Sequence, residues 1–388
     1  MKILHTSDWH LGHTLYGYDR TEEQQAMLQQ IIAIVREEKP DVFVLSGDVY
    51  HTSQPSASVQ KMLAEALVAI HQAHEKMVII ATAGNHDSSS KHDIFHTPWK
   101  ELNVHTVGKL HRNDPMQHVI AVPNVGIVVA IPYVLERSMP EDYVPTLLQQ
   151  VAETNVDNLP VVLMMHTTIA GSDFTGHDQI QDLVIGGIDS IDLKSLGKEY
   201  DYLALGHIHC PQAIGFNHRV RYSGTPLAVN FDETFAHSVC LVTIDKHTAV
   251  PQVELREIHN PRPLLTLPDN GEYATWSEAK ELLAAVPNDV HAYVRLRVKY
   301  DDTFPSNAQS EAMQIVNDKV CRFCYIQLLR DEEDKNNGVK AVTVSEFAEL
   351  SPIDVAENYF QAKQVAFDEE IRNALQEILI EIQEEERN

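Results

Sequence analysis

"MVIIATAGNHDSSS", residues 77–90, runs an apolar, strand-like stretch directly into Gly84, Asn85, His86 and Asp87. A turn uses Gly, Asn or Asp because they tolerate left-handed backbone and satisfy their own amides, but it has no need of an imidazole between an amide and a carboxylate. The arrangement recurs along the chain. Lys2-Ile-Leu-His-Thr-Ser leads to Asp8 and His10, and Val42-Phe-Val-Leu45 leads to Asp48. Val161-Val-Leu-Met-Met165 leads to His166, and Tyr202-Leu-Ala-Leu205 to His207 and His209. In α/β sheets the carboxyl ends of strands gather at one edge, where ligands bind. Five such ends can therefore meet in one pocket.

Between these ends lie helical stripes. Thr21-Glu-Glu-Gln24 matches a capping box ahead of Met27, Leu28, Ile31, Ile32 and Val35, and Pro40 stops the run. Val59, Met62, Leu63, Ala66, Leu67 and Ile70 repeat the pattern. The alternation predicts a layered α/β sandwich over residues 1–258. Asn260-Pro-Arg-Pro263 marks a boundary. Residues 264–333 then read as a small α+β capping domain with strands at 264, 291–300 and 320–330 and helices near 276–286 and 306–319. Beyond a charged linker, residues 339–388 read as C-terminal helices for binding a partner. Their aliphatic stripe, Ile371, Leu375, Ile378, Leu379 and Ile382, either packs on its own chain or docks on another protein.

The chain has 388 residues, with 30 Lys and Arg against 56 Asp and Glu, a formal net charge of −26. That balance argues against attachment to nucleic acid through the surface as a whole. A polyanionic substrate would need a local positive source, which metal ions can supply. No apolar run reaches the roughly 18 residues of a membrane span, and the N-terminal stretch lacks a signal peptide's apolar core. The cytoplasm is the expected location. Four cysteines make no disulfide framework, and Cys321-Arg-Phe-Cys324 lacks the second pair of a zinc site and reads as a buried strand.

The strand-end residues suit two metal ions. One can take Asp8, His10 and His209, the other Asn85, His166 and His207, with Asp48 bridging through its two oxygens. Mixed imidazole and oxygen ligands favour Mn²⁺, Fe or Zn²⁺ over Mg²⁺ or Ca²⁺. Two divalent ions against two carboxylates leave a charge of about +2. Such a pair, about 3.5–4 Å apart, lowers the pKa of a water and clamps both oxygens of a displacement at phosphorus. His86 is then the candidate acid, Asp87 the residue expected to orient it, and His51 a further histidine near the phosphate.

"ILHTSDWHLG", "GDVYH", "GNHDS", "HTT" at 166–168 and "LALGHIH" resemble the motifs of the calcineurin-like metallophosphoesterase superfamily and, within it, the bacterial SbcD nuclease subunits. "RYSGTPLAVNFDE", residues 221–233, is similar to the strand and turn that follow the last histidine motif there. The resemblance implies a DNA nuclease with two Mn²⁺, a 3′ to 5′ exonuclease on double-stranded ends that also opens hairpins or single-stranded structures in DNA repair, recombination and replication. It implies an SMC-like ATPase partner, SbcC, gripped by the terminal helices, and a homodimer within a heterotetramer. It assigns Asp8, His10, Asp48, Asn85, His166, His207 and His209 as ligands and His86 as the catalytic histidine, while His51 matches a position that varies among bacterial members. Met165 stands where some relatives have Gly.

A phosphatase of the same superfamily would show GDxVDRG and GNHE in place of Gly47-Asp-Val-Tyr-His51 and Gly84-Asn-His-Asp87. Another calcineurin-like phosphodiesterase, or a scaffold that keeps the fold without catalysis, stays open as an alternative. In the capping unit, Arg295, Arg297 and Lys299 alternate with Val294, Leu296 and Val298. This basic strand face either tracks DNA phosphates or is a solvated outer face.

Overall fold

A computed structural model describes residues 1–94, 99–135, 138–176, 190–215, 218–300 and 303–330. The strands β1 (Lys2–Thr6), β2 (Val42–Ser46) and β3 (Val78–Thr82) are parallel, and β2 is buried along its whole length. Continuous apolar runs of this kind belong to strands covered on both faces. Parallel neighbours need long crossovers, here supplied by α1 (Thr21–Glu38) and α2 (Ala57–Ala73). A short α3 (Ser89–Ile94) precedes β4 (Val104–Val107). With β11 (Ser238–Thr243) and β12 (Gln252–Glu257), these strands form a sheet in the order β12-β11-β1-β2-β3-β4.

The second sheet contains β5 (Val119–Val122), β6 (Gly126–Ala130), β7 (Val161–His166), β8 (Tyr202–Gly206), β9 (Gln212–Ala213) and β10 (Val220–Tyr222) in the order β5-β6-β7-β8-β10-β9. Alternate residues of each strand decide the layers. Ile3, Val42, Val44 and Ile80 meet Val128, Val162, Met164 and Tyr202 between the sheets. Leu4, Phe43 and Leu45 face Met27, Ile31, Val35 and Ile70 of α1 and α2. On the far side, Leu163, Met165 and Leu205 pack with Val144, Leu147, Leu148 and Val151 of α4 (Tyr143–Thr154). Each such aliphatic side chain contributes about 1.5–3 kcal/mol on burial. The result is the helix, sheet, sheet, helix sandwich read from the sequence.

The helix start at Thr21 differs from its expected form. Arg20 precedes the helix with no side-chain cap, and Asp19 instead accepts the Thr21 backbone N–H at 3.0 Å and its hydroxyl at 3.1 Å. Gln24 turns inward because three backbone groups of the loop after β1 need partners. It accepts from Gly12 N at 3.1 Å and donates to the carbonyls of His10 and His13 at 3.3 and 3.4 Å. A complete capping box occurs elsewhere, between Thr275 and Glu278.

The remaining described strands, β13 (Leu264–Leu267), β14 (Tyr293–Tyr300) and β15 (Arg322–Arg330), form a parallel sheet crossed by α5 (Trp276–Ala285) and α6 (Ala308–Ile315). A joint on α1 ties it to the sandwich. Arg262 Nε and the Tyr293 hydroxyl both donate to Glu23 Oε1, at 3.1 and 2.9 Å. The guanidinium groups of Arg20, Arg262 and Arg322 lie 5.7, 5.7 and 5.5 Å from the Tyr293 ring centre. Buried charge is tolerable only with such pairing. Cys321 and Cys324 are buried and unbridged in or beside β15. The helices expected over 339–388 lie outside the described residues. Among the described residues, no helix is long and apolar enough to cross a membrane.

Candidate metal centre

The parallel strands β1, β2 and β3 end at one edge of their sheet, and β7 and β8 end against it from the other sheet. The chain bends sharply there: Asp8, His10, Asp48 and His207 adopt φ of 53°, 44°, 49° and 99°. Left-handed backbone costs a non-glycine residue about 1 kcal/mol or more and persists only where surrounding structure holds it. The two loops hold each other. Asp8 N donates to Gly47 O at 3.1 Å and His10 N to Asp48 O at 3.0 Å. Two glycines permit the approach, since a Cβ at Gly47 would collide with the His166 ring and one at Gly84 with the Asp48 carboxylate.

One ligand group forms around Asn85. His166 Nδ1–H donates to Ser46 O at 2.8 Å, which leaves Nε2 as a lone pair 3.0 Å from Asn85 Oδ1 and 3.4 Å from Asp48 Oδ2. His207 Nδ1 lies 3.0 Å from the same Asn85 oxygen. Asp48, His166 and His207 each place a ligand atom within 4.8 Å of the others.

Asp8, His10 and His209 form a second such group. His209 gives its Nδ1 proton to Glu233 Oε1 at 2.7 Å, so its Nε2 presents a lone pair to His10 Nε2, 3.2 Å away. Two facing lone pairs and a convergent carboxylate fit a cation between them. A carboxylate behind an imidazole fixes the tautomer and raises its basicity as a ligand. Asp48 Oδ2 is 3.8 Å from His10 Nε2 and 3.4 Å from His166 Nε2. Its carboxylate therefore stands between the two groups. The nitrogen and oxygen donors suit a borderline divalent cation.

Glu233 was not singled out in the sequence. It is buried, accepts the Thr225 hydroxyl at 2.9 Å as well, and lies 24 positions after His209. The only signal was its place at the end of the 221–233 stretch.

His86 leans into the same space. Its backbone N–H donates to Asp48 Oδ1 at 2.9 Å and its Nδ1–H to His51 O at 2.8 Å, so Nε2 is left for chemistry. The His51 ring stacks 5.5 Å from that of His86, and both rings meet His10 edge-on. Asp87 does not orient His86, contrary to expectation. Its carboxylate accepts the backbone N–H of Val49, Tyr50 and Gly84 at 3.0, 2.9 and 2.9 Å. Three unpaired amides of the two loops demand it more strongly, and the orienting group is the His51 carbonyl.

Burial pushes the Asp8 carboxyl up to about 7, with His166 pulling it down and Asp48 pushing it up. Asp48 is also fully buried, yet His166 beside it holds its carboxyl well below the usual range. Burial opposes charge on His166, but Asp48 and Asp8 raise it to about 9. Burial drives His10 far down. Carboxylates this deep call for a positive partner, which a cation can be.

The basic strand face is not an open DNA track. Arg295 is fully buried: it donates to Asp232 Oδ1 at 2.6 Å, the Tyr325 hydroxyl and Thr266 Oγ1 at 3.1 Å each, and the Phe231 carbonyl at 3.1 Å. The loop that carries Glu233 covers this face of β14, so the guanidinium clasps loop to sheet. Arg297 is half-buried and donates to Gln327, while Lys299 is exposed.

A family profile described as calcineurin-like phosphoesterase matches residues 1–211, the span that contains every ligand candidate named from the sequence. The SbcD subunit of the SbcCD nuclease from Rhodobacter capsulatus is 30% identical over 314 residues, covering 74% of this chain and 75% of the relative. Its namesake in Bacillus subtilis is 32% identical over 263 residues, covering 62% and 66%. That of Escherichia coli is 25% identical over 323 residues, covering 78% and 79%.

Proposed function

Because the chain belongs to the calcineurin-like phosphoesterase family, in its SbcD branch of metal-dependent nuclease subunits, we propose that it hydrolyses phosphodiesters at double-stranded DNA ends in the 3′ to 5′ direction and cuts hairpin or single-stranded structures. The observation that carries this reading is Asp48, whose Oδ2 lies within 3.8 Å of a histidine from each ligand group. One carboxylate shared by two nitrogen-rich groups is the donor arrangement that a two-metal phosphodiesterase needs.

In this reading Asp8, His10 and His209 hold one cation, Asn85, His166 and His207 the other, and Asp48 bridges them, with Mn²⁺ as the working metal and Fe or Zn²⁺ as replacements. Bound there, the cations supply an activated water and draw charge from the phosphate. The chain supplies the rest. Glu233 and Ser46 fix His209 and His166 as neutral ligands with their lone pairs inward. The His51 carbonyl holds the Nδ1–H of His86, leaving Nε2 to exchange a proton with the departing oxygen. His51, stacked on His86, limits the swing of that ring.

The names of the relatives point to an assembly with an SMC-like ATPase, SbcC, as partner. The segment 339–388 would grip that partner beyond the capping unit of 264–333, in a heterotetramer built on a homodimer in the cytoplasm. The test is Mn²⁺-dependent cleavage of an end-labelled duplex and a hairpin by wild type and His86→Gln, with and without the ATPase. Cleavage by wild type alone supports the assignment. No cleavage under any condition, with metal occupancy verified, overturns it in favour of another phosphoester substrate.

A further inference from the structure

The loop that leaves the metal centre after His10 ends in an aromatic tip. Leu15 and Tyr18 exchange backbone hydrogen bonds of 3.1 and 2.9 Å across Tyr16 and Gly17. This is a two-residue hairpin turn whose central residues both stand at positive φ, 49° and 83°. Such turns favour Asn, Asp or Gly at the first central position, where a bulky side chain is strained. Here the strained position carries a tyrosine that is 50% exposed.

The ring is not loose. It stacks on Tyr325 of β15 with centroids 4.5 Å apart and planes at 21°, and Phe231 lies 6.0 Å away. Tyr325 and Phe231 are braced from beneath by Arg295, which donates to the Tyr325 hydroxyl at 3.1 Å and lies 5.2 Å over the Phe231 ring. A lone exposed tyrosine would need no explanation. Three packed rings on a strained turn do.

Both segments of the tip run straight into the metal centre. Tyr16 lies six residues after His10, and Phe231 lies two before Glu233, which holds His209. A net charge of −26, with Arg295 spent on Asp232 at 2.6 Å, argues against a broad cationic surface for phosphates. Aromatic stacking holds single-stranded nucleic acid through the faces of its bases and needs no such surface.

We propose that Tyr16, backed by Tyr325 and Phe231, is a stacking platform for an unpaired nucleobase of the DNA strand that enters the metal centre. The proposal rests on the nuclease reading above. It assigns to the tip the grip on bases, and leaves to the metals the grip on the scissile phosphate.

The test uses the full chain with Mn²⁺ and two variants. Tyr16→Asn keeps a residue at ease at positive φ and deletes the ring, while Tyr16→Phe keeps the ring. The probe is a phosphorothioate-linked duplex with a single-stranded 3′ overhang whose terminal base is 2-aminopurine, a fluorophore quenched by stacking. Hydrolysis of bis(4-nitrophenyl) phosphate checks the metal centre. Wild type and Tyr16→Phe should quench the probe and bind it within about twofold of each other, while Tyr16→Asn should bind about 5- to 100-fold more weakly without quenching. Turnover of the small diester should be equal in all three. Wild-type quenching and affinity in Tyr16→Asn would overturn the platform alone. A wild type that hydrolyses the small diester but binds no oligonucleotide would overturn the nuclease reading and the platform with it.

Discussion

Glu233 Oε1 accepts the Nδ1 proton of His209 at 2.7 Å, and this contact decides which nitrogen of His209 faces Asp8 and His10. The carboxylate is itself fixed by the Thr225 hydroxyl at 2.9 Å and the Val229 amide at 3.2 Å. It can neither rotate away nor exchange partners without leaving a buried donor unpaired.

Glu233→Gln should therefore weaken the metal group of Asp8, His10 and His209 while leaving the fold intact. Outer carboxylates behind ligand histidines typically matter by about 10- to 100-fold in metal affinity. Mn²⁺ titration by calorimetry reads this directly, and an unchanged affinity would remove Glu233 from the metal centre.

His86→Gln should separate binding from chemistry. The backbone N–H that reaches Asp48 stays, so metal affinity should hold, while hydrolysis falls by about 10²- to 10⁴-fold with loss of the proton-exchanging Nε2. Wild-type turnover in that variant would contradict the role.

Gly84→Ala should do the opposite of a surface change. The added methyl would meet the Asp48 carboxylate and backbone nitrogen, and neither can move without disturbing both ligand groups. A destabilisation of about 1–3 kcal/mol and the loss of tight Mn²⁺ binding should appear together, measured by denaturant unfolding and metal titration. A variant that binds Mn²⁺ like wild type would show the loop to be slacker than the packing indicates.

His118 should make stability depend on pH far from the metal centre. It is buried, donates from Nδ1 to Ala130 O at 2.8 Å and accepts the His111 backbone N–H on Nε2 at 2.9 Å, which requires the neutral ring. Burial lowers its pKa to about 4, with His111 adding to the effect against the Ala130 carbonyl. The folded value lies below the ordinary 6.5, so the unfolded chain takes up the proton first. This contribution to stability is whole above pH 6.5 and drains at up to about 1.4 kcal/mol per pH unit as pH falls towards 4. Urea unfolding of wild type and His118→Gln across that range should show a shallower slope in the variant, and parallel slopes would assign the acid sensitivity to other groups.

The misread residues share a physical cause. Alternation along β14 put Arg295, Arg297 and Lys299 on one face, but it could not say that the Phe231–Asp232 loop closes over the first of them. Thr21 to Gln24 has the spacing of a capping box, yet Gln24 satisfies three backbone groups of a loop that lies earlier in the chain. Asp87 sits next to His86 in sequence, while its oxygens serve amides nearly forty residues away. In each case a polar side chain went to the unpaired groups nearest in space.

The sequence by itself determined the layers and the ligand inventory. Apolar periodicity is local, and residue types able to bind metal stood at five strand ends, so a common edge and a shared pocket followed from sheet geometry. Only the tertiary structure decided which nitrogens face inward, that Glu233 stands behind His209, that Arg295 is an internal clasp, and that Tyr16 meets Tyr325 across the fold. Those relationships join residues 24 to more than 300 positions apart. Their energies depend on burial and on the partners left unpaired nearby, neither of which exists until the chain has packed.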